Sequence, residues 1–376
     1  MDTGTHILLG AVTAQLGFRQ RIGRDATWAA VAAAVLTDLD LATAPMLSVS
    51  EPWTTTLGHM MMHRGLTHSL LIIPVTALVV AGVWWALRRK FAGRPNPAAA
   101  SQAAPPAPVP FRLLYLCALV AAIGHPLLDW STAYGTELFA PLTDTRYALG
   151  IIAAVDIFFT PLLALTLLAC FLIRKIGRGP KHRATLVVGW AGFLLALGYL
   201  TTSALLRQEA MAEARQLAGP ARIVRVGAYP ALGSIFRWRG VVETEDAWLT
   251  YRLSPLTGIS AARDPETAPR EAGPWIDRAR QLPGVQTYEW FAMGMVRATR
   301  RDAEGRHIVE FHDMRFSPEI GSIAGLWPLR VVFDDDGRVE EIQVLSAFTG
   351  RSHWRYFSQV WHDIMEPSPP TCPRGP

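Results

Sequence analysis

Cysteine is nearly absent, with three in 376 residues. Cys117 and Cys170 lie inside apolar runs and Cys372 in a proline-rich tail, which excludes a disulfide framework and a CxxC zinc site. Charge is also scarce. Asp, Glu, Lys and Arg make up 18% of the chain, against about 25% in a typical soluble domain, and the deficit falls in the first 206 residues. The N-terminus has Asp2 and no basic stretch before its short apolar run, so no cleavable signal peptide is expected. There is no internal repeat. The basic residues occupy short loops with no aromatic-basic sheet motif, so no nucleic-acid partner is expected. Residues 45–62 and 131–145 contain no Lys or Arg at all.

Hydrophobic residues make up half of the chain. Residues 5–18 read as a short helix, near 14 residues, brief for a membrane crossing. Apolar runs follow at 26–44, 66–87, 111–130, 147–173 and 184–206, with a Pro/Ala-rich linker at 93–110. The expected N-terminal domain, residues 1–206, is therefore an α-helical polytopic membrane domain of about five to six membrane segments. From Arg207 the pattern changes to β-rich runs at 223–229, 235–253, 287–299, 307–316, 329–333 and 339–345. The last two flank Asp334-Asp335-Asp336-Gly337-Arg338, a hairpin signal. Residues 207–365 are expected to form a mainly β soluble domain and 366–376 a proline-rich tail. The basic loops, 19–24, 88–94 and 174–183, alternate with the two loops that lack Lys and Arg. The positive-inside rule then places both termini, and the β domain, outside the cytoplasm.

That orientation has a chemical consequence. His6, Asp38, Asp40, His63, His68, His125 and Asp129 all fall at the outer ends of their helices. The densest stretch is His63-Arg64-Gly65-Leu66-Thr67-His68-Ser69, at the mouth of an apolar run, where polar groups are costly unless something binds them. His125 and Asp129 share a face if their helix continues through Pro126. Asp38 and Asp40, two apart, cannot both point one way on a regular helix. Imidazole with carboxylate and no thiolate suits zinc, with manganese or iron as alternatives, and the number of groups suits one or two ions. These seven residues are the expected metal ligands, with Asp40, Asp129 and Arg64 assigned to catalysis and Arg64 matched to an oxyanion. His59 and Thr67 are expected as orienting neighbours, Thr67 or Ser69 also as a helix cap. Asp156 is open between ligand, orienting partner and helix-packing hydrogen bonder. His182, His307, His312, His353 and His362 read as surface or structurally satisfied residues.

Four stretches carry a resemblance: Thr5-His6-Ile7-Leu8-Leu9-Gly10, Thr37-Asp38-Leu39-Asp40, His63 to Ser69, and Gly124-His125-Pro126-Leu127-Leu128-Asp129. In order and spacing they resemble the YdjM-type inner-membrane metal-dependent hydrolases, also described as LexA-regulated or LexA-binding, over about the first 160 residues. The family often has Pro before its first Asp and His after its second, where this chain has Thr37 and Leu41. The resemblance implies a multi-span protein of the bacterial inner membrane that uses a divalent metal in hydrolysis. Its His/Asp pattern is similar to that of zinc-dependent phospholipases C, which implies membrane lipids as surroundings and a lipid or phosphoester substrate. Two other functions fit the same residues: a metal- or proton-handling transporter, and a membrane-anchored binding or assembly protein using its β domain.

Overall fold

The computed structural model describes residues 1–40, 58, 63–92, 109–176, 181–231, 233–254, 265–317 and 321–345. The expectations for His59, Cys372, His353, His362, the tail 366–376, the linker 93–110 except 109–110 and the loop 45–62 except 58 lie outside those residues.

The N-terminal part is a bundle of helices α1 (Thr3–Gln15), α2 (Phe18–Ile22), α3 (Arg24–Thr37), α4 (Ile73–Ala92), α5 (Phe111–Trp130), α6 (Phe159–Ile176) and α7 (Lys181–Leu217). Small residues set how closely they pack. On α3, Ala26, Ala29, Ala30, Ala33, Ala34 and Thr37 are all buried, the i, i+3, i+4, i+7 spacing of one helix face. Opposite them on α1, a Cβ on Gly10 would sit 2.9 Å from the Ala30 carbonyl oxygen and 3.2 Å from Ala34 Cβ, so only glycine permits this approach. The outward faces of α4, α6 and α7 carry exposed Val75, Leu78, Val83, Leu165, Phe171, Val187, Leu194 and Leu195. Apolar side chains turned outwards suit a lipid surround.

Among the described residues, three helices are long and apolar enough to cross a membrane: Phe111–Trp130, Phe159–Ile176 and His182–Leu217. This corrects the expected five to six segments. Helices α1 and α3, with 13 and 14 residues, extend only about 20 Å each, short of a hydrocarbon core near 30 Å. Helix α4 carries Arg88, Arg89 and Lys90 in its last part. The expected span at 147–173 starts late, because residues 147–158 are irregular and α6 begins at Phe159.

Helix α7 continues past Arg207, and its last turns lie under the first of two antiparallel sheets. That sheet has the order β1 (Ile223–Ala231), β2 (Ser234–Thr244), β3 (Ala247–Leu253), β4 (Glu266–Pro269). Ala210 and Ala214 of α7 pack with buried Trp238, Val242 and Tyr251. The second sheet has the order β5 (Val296–Ala303), β6 (Arg306–Asp313), β7 (Leu329–Phe333), β8 (Val339–Val344). Its core is shared with helices α8 (Pro274–Arg280) and α9 (Pro283–Phe291) through Ile276, Val285, Tyr288 and Phe291. The β7–β8 hairpin turns at Asp334, which binds Arg338 through backbone and side chain. The run expected as a strand at 287–299 divides instead. Pro283 opens helix α9, with proline in its first turn as the missing N–H allows, and β5 starts only at Val296.

Of the histidines in the β domain, His312 is buried on β6 and accepts from the Gly325 N–H. Burial, with the Arg297 charge next in effect, pushes its pKa down to about 4 from the ordinary 6.5. The folded state holds this ring neutral, so the unfolded chain binds the proton first as pH falls. The associated stability is complete above pH 6.5 and is lost as pH drops towards 4, amounting to about 3 kcal/mol. Thermal unfolding should accordingly show a steeper loss between pH 6.5 and 4 in the wild type than in His312→Gln; equal slopes would contradict it.

Candidate metal centre

Four chain segments meet at one end of the bundle. Asp2 caps α1, accepting from the Thr5 N–H at 3.0 Å, and this sets His6 on the first turn. Helix α3 ends at Thr37, so Asp38 is its C-cap and Asp40 lies beyond the regular helix. This resolves the spacing problem, because the two carboxylates part company. Helix α5 does continue through Pro126, and His125 and Asp129 face the same way, with Nε2 and Oδ2 3.4 Å apart. His68 ends a short 3₁₀ turn, Leu66–His68, and is fully buried.

Asp38, His68, His125 and Asp129 form a group whose ligand atoms all lie within 4.8 Å of one another. His125 Nε2 is 3.1 Å from Asp38 Oδ1, and His68 Nε2 is 3.5 Å from Asp38 Oδ1 and 3.2 Å from Asp129 Oδ2. The hydrogen bonds settle what these atoms carry. His125 Nδ1–H donates to the Ala34 carbonyl at 2.8 Å. Thr67 Oγ1 donates its one proton to Asp40 Oδ2 at 3.0 Å, so at 2.9 Å it accepts from His68 Nδ1–H. In its neutral form each ring then aims an Nε2 lone pair inwards. His68 Nε2, His125 Nε2 and Asp129 Oδ2 are buried with no hydrogen-bond partner. Acceptors facing acceptors repel unless a cation sits among them. Tetrahedral zinc ligands at about 2.0 Å from the ion lie about 3.3 Å from each other, and the four histidine–carboxylate separations run from 3.1 to 3.5 Å. The donor set fits zinc.

The other oxygen of Asp129 is handled differently. Oδ1 receives the Met1 amino group, His6 Nε2 at 3.1 Å and Arg64 Nη2 at 3.0 Å. Three donors on one oxygen leave the second one turned to the histidines. His6 is thus brought to the site, stacked on His125 at 3.5 Å between ring centroids, but outside the ligand group. Asp40, His63 and His68 form a second group. It shares His68 with the first through the opposite ring nitrogen, Nδ1 lying 3.4 Å from Asp40 Oδ2. Asp40 also accepts from the Arg64 N–H at 3.0 Å and meets His63 Nδ1 at 3.3 Å.

The YdjM inner membrane protein profile matches residues 1–208, more than half of the chain. The chain belongs to the YdjM inner membrane protein family. Neither the curated proteins nor the solved structures contain a match to it. The matched region holds every residue of both His/Asp groups and ends within α7, so the β domain lies beyond the family match.

Arg64 is held from several sides. It is buried with φ of 64°, a conformation that costs a non-glycine residue about 1 kcal/mol or more. Its N–H binds Asp40, its carbonyl accepts from the Glu137 N–H, and its guanidinium binds Asp129 and Thr132 Oγ1 and lies 4.6 Å over the Tyr134 ring. An oxyanion role was expected of Arg64; in this arrangement its terminal nitrogens hold Asp129 and Thr132. Thr67 sits where an orienting neighbour is expected, while Ser69 makes the turn contact, accepting from the Leu71 N–H at 3.2 Å. Asp156 is not brought to either group. It caps α6 through the Phe158 and Phe159 N–H groups and accepts from Tyr199, which selects helix packing from its three expected roles.

Sequence reasoning missed the connection 131–147 as part of the site. Thr132 and Tyr134 meet Arg64, and Arg146 binds the carbonyls of His63 and Gly135. The only signal was their nearness in sequence to Asp129. It also missed the tie to the β domain. Arg315, paired with Asp313 and buried, donates to the Ala133 and Tyr134 carbonyls, and Trp290 donates to the Asp144 carbonyl. The carboxylate of Asp40 orients His68 through Nδ1 and Thr67, the arrangement that raises the basicity of a metal-binding imidazole. Asp40→Asn should weaken zinc binding about 10- to 100-fold in chelator competition; unchanged affinity would remove Asp40 from the centre.

Proposed function

We propose that this protein is a membrane-bound metal-dependent hydrolase acting on a phosphoester or lipid-linked substrate at the outer face of the bacterial inner membrane. The observation that carries the reading is the group of facing ligand atoms on Asp38, His68, His125 and Asp129, of which His68 Nε2, His125 Nε2 and Asp129 Oδ2 are buried with no hydrogen-bond partner. We assign one divalent ion, zinc by its donor set, to that group. A second ion at Asp40, His63 and His68 would have to displace the Nδ1 proton that His68 donates to Thr67. The bound ion would lower the pKa of a water from about 16 towards 7 and polarise the ester oxygen.

The chain's own residues do the rest. Arg64, His6 and the Met1 amino group hold Asp129 by one oxygen and so orient the other. His63 is the half-open member of the cluster, its side chain 14% exposed where His68 is fully buried. Asp40 binds its Nδ1, which leaves Nε2 to take or give a proton at the mouth, so His63 acts as general acid and base rather than as a ligand. Exposed Leu39 and Leu66 flank Asp38, Asp40 and His68, and apolar side chains beside a polar mouth favour a substrate with a lipid tail. Helices α1, α3 and α4 complete the membrane part around the three apolar spans, with the basic ends of α2, α4 and α6 in the cytoplasm. The β domain, extracytoplasmic in this orientation, supports the site loop through Arg315 and Trp290. Those contacts favour a part of the enzyme over a separate binding module.

The roles separate in kinetics. Protein assayed on a phospholipid or another lipid phosphoester should lose activity on chelation and regain it with zinc or manganese. His63→Gln should lower kcat about 10²- to 10⁴-fold, the range of general acid–base catalysis, with metal content retained, whereas His68→Ala should lose the metal itself. Activity indifferent to chelators would reject the hydrolase reading.

A further inference from the structure

A second built feature lies at the opposite end of the bundle from the His/Asp groups. Helices α1, α3, α4 and α5 each have one end at the metal centre, so the start of α3 and the end of α4 are a helix length, about 20 Å, away from it. There the chain forms an open cavity of about 920 Å³ whose lining includes Arg21, Arg24 and Arg88 with Trp28, Trp84 and Phe91. One carboxylate is present, and it is neutralised in place. Asp25 Oδ1 accepts from Trp84 Nε1 at 3.1 Å and meets Arg88 Nε at 3.1 Å. Among the described residues Arg21 and Arg24 have no such partner, and the lining, with three arginines and one aspartate, carries a net charge of two positive units. The aromatic side is open: Trp28 is 52% and Phe91 65% exposed. Aromatic rings with arginines are the composition of a membrane–water boundary, and basic pockets between helices suit anionic headgroups.

We infer that this cavity binds the headgroup of an anionic phospholipid, with the phosphodiester between Arg21 and Arg24, Arg88 fixed by Asp25 at its side, and the acyl chains leaving over Trp28 and Phe91. The planar guanidinium forks match phosphate oxygens. A membrane lipid rather than a free anion is the occupant, because Trp28, Trp84 and Phe91 with Ile22, Leu87 and Val109 give the lining an apolar surface that inorganic phosphate would not cover. The site is distinct from the metal centre and holds no metal-type ligand cluster, so it serves anchoring and tilt of the bundle rather than hydrolysis.

The test uses the full chain in detergent, with lipid retention read by native mass spectrometry and thermal shift, and phosphatidylglycerol, phosphatidylethanolamine and inorganic phosphate as separate probes. Phosphatidylglycerol should be retained at one per chain in preference to phosphatidylethanolamine. Retention should fall about tenfold or more in Arg21→Gln/Arg24→Gln, at roughly 1 kcal/mol for each arginine, and should survive in Arg183→Gln, a basic residue at the same end outside the cavity. Equal retention of the two lipids by the wild type overturns the inference without any variant. It is equally overturned if Arg183→Gln loses as much as the double variant, if the double variant loses nothing, or if millimolar inorganic phosphate alone gives the full shift.

Discussion

The rest of the structure depends on one electrostatic conflict. Asp38, His68, His125 and Asp129 bring histidine nitrogens within 3.1 to 3.5 Å of carboxylate oxygens in a buried place. With the rings neutral and no cation among them this arrangement is repulsive, the more so in a low-dielectric interior. Each group is also prevented from turning away. The Ala34 carbonyl holds His125, Thr67 and Asp40 hold His68, and Thr3 Oγ1 donates to the other oxygen of Asp38 at 2.9 Å. The three donors on Asp129 Oδ1 do the same for Asp129. Groups held this firmly could receive a divalent ion without rearrangement, and the proposed metal-activated hydrolysis rests on that.

The fold is arranged to make that conflict possible. Helix α1 reaches α3 closely enough to bring His6 over His125 only because Gly10 has no side chain and α3 presents alanines. Proline within α5 leaves the His125 to Asp129 face intact. On the solvent side, residues 131–147 lock Arg64 in a strained conformation, and the β domain in turn locks those residues through the buried Arg315–Asp313 pair. Strain at Arg64 persists because backbone and side chain are bound at both ends, as strained functional residues require.

Much of the site was legible in the sequence, and for a physical reason. Histidines and aspartates at the mouths of apolar helices are expensive and therefore informative, so His63, His68, His125, Asp129, Asp38 and Asp40 could be named from their positions alone. Their division into roles could not, because it depends on which ring nitrogen faces which oxygen; His6 is near the group without joining it, and Asp40 faces the outer nitrogen of His68. Asp156 stayed open between three roles in sequence, since a helix cap and an intramembrane carboxylate share the same apolar neighbours. Membrane segments were overcounted where apolar runs were short or irregular, as at 147–158. The β hairpin at Asp334 was plain from its turn residues, while α9 was hidden in a run of mixed aromatic and small residues that suits either state.

X-ray absorption at the zinc edge, on zinc-loaded protein with its metal content counted, tests the central claim most directly. A single ion per chain is predicted, bound by two imidazole nitrogens and carboxylate oxygens at about 2.0 Å without sulfur, with both ion and signal lost in His125→Ala. Carefully prepared wild-type protein that retains no ion, or an ion whose coordination is unchanged in His125→Ala, would contradict the account.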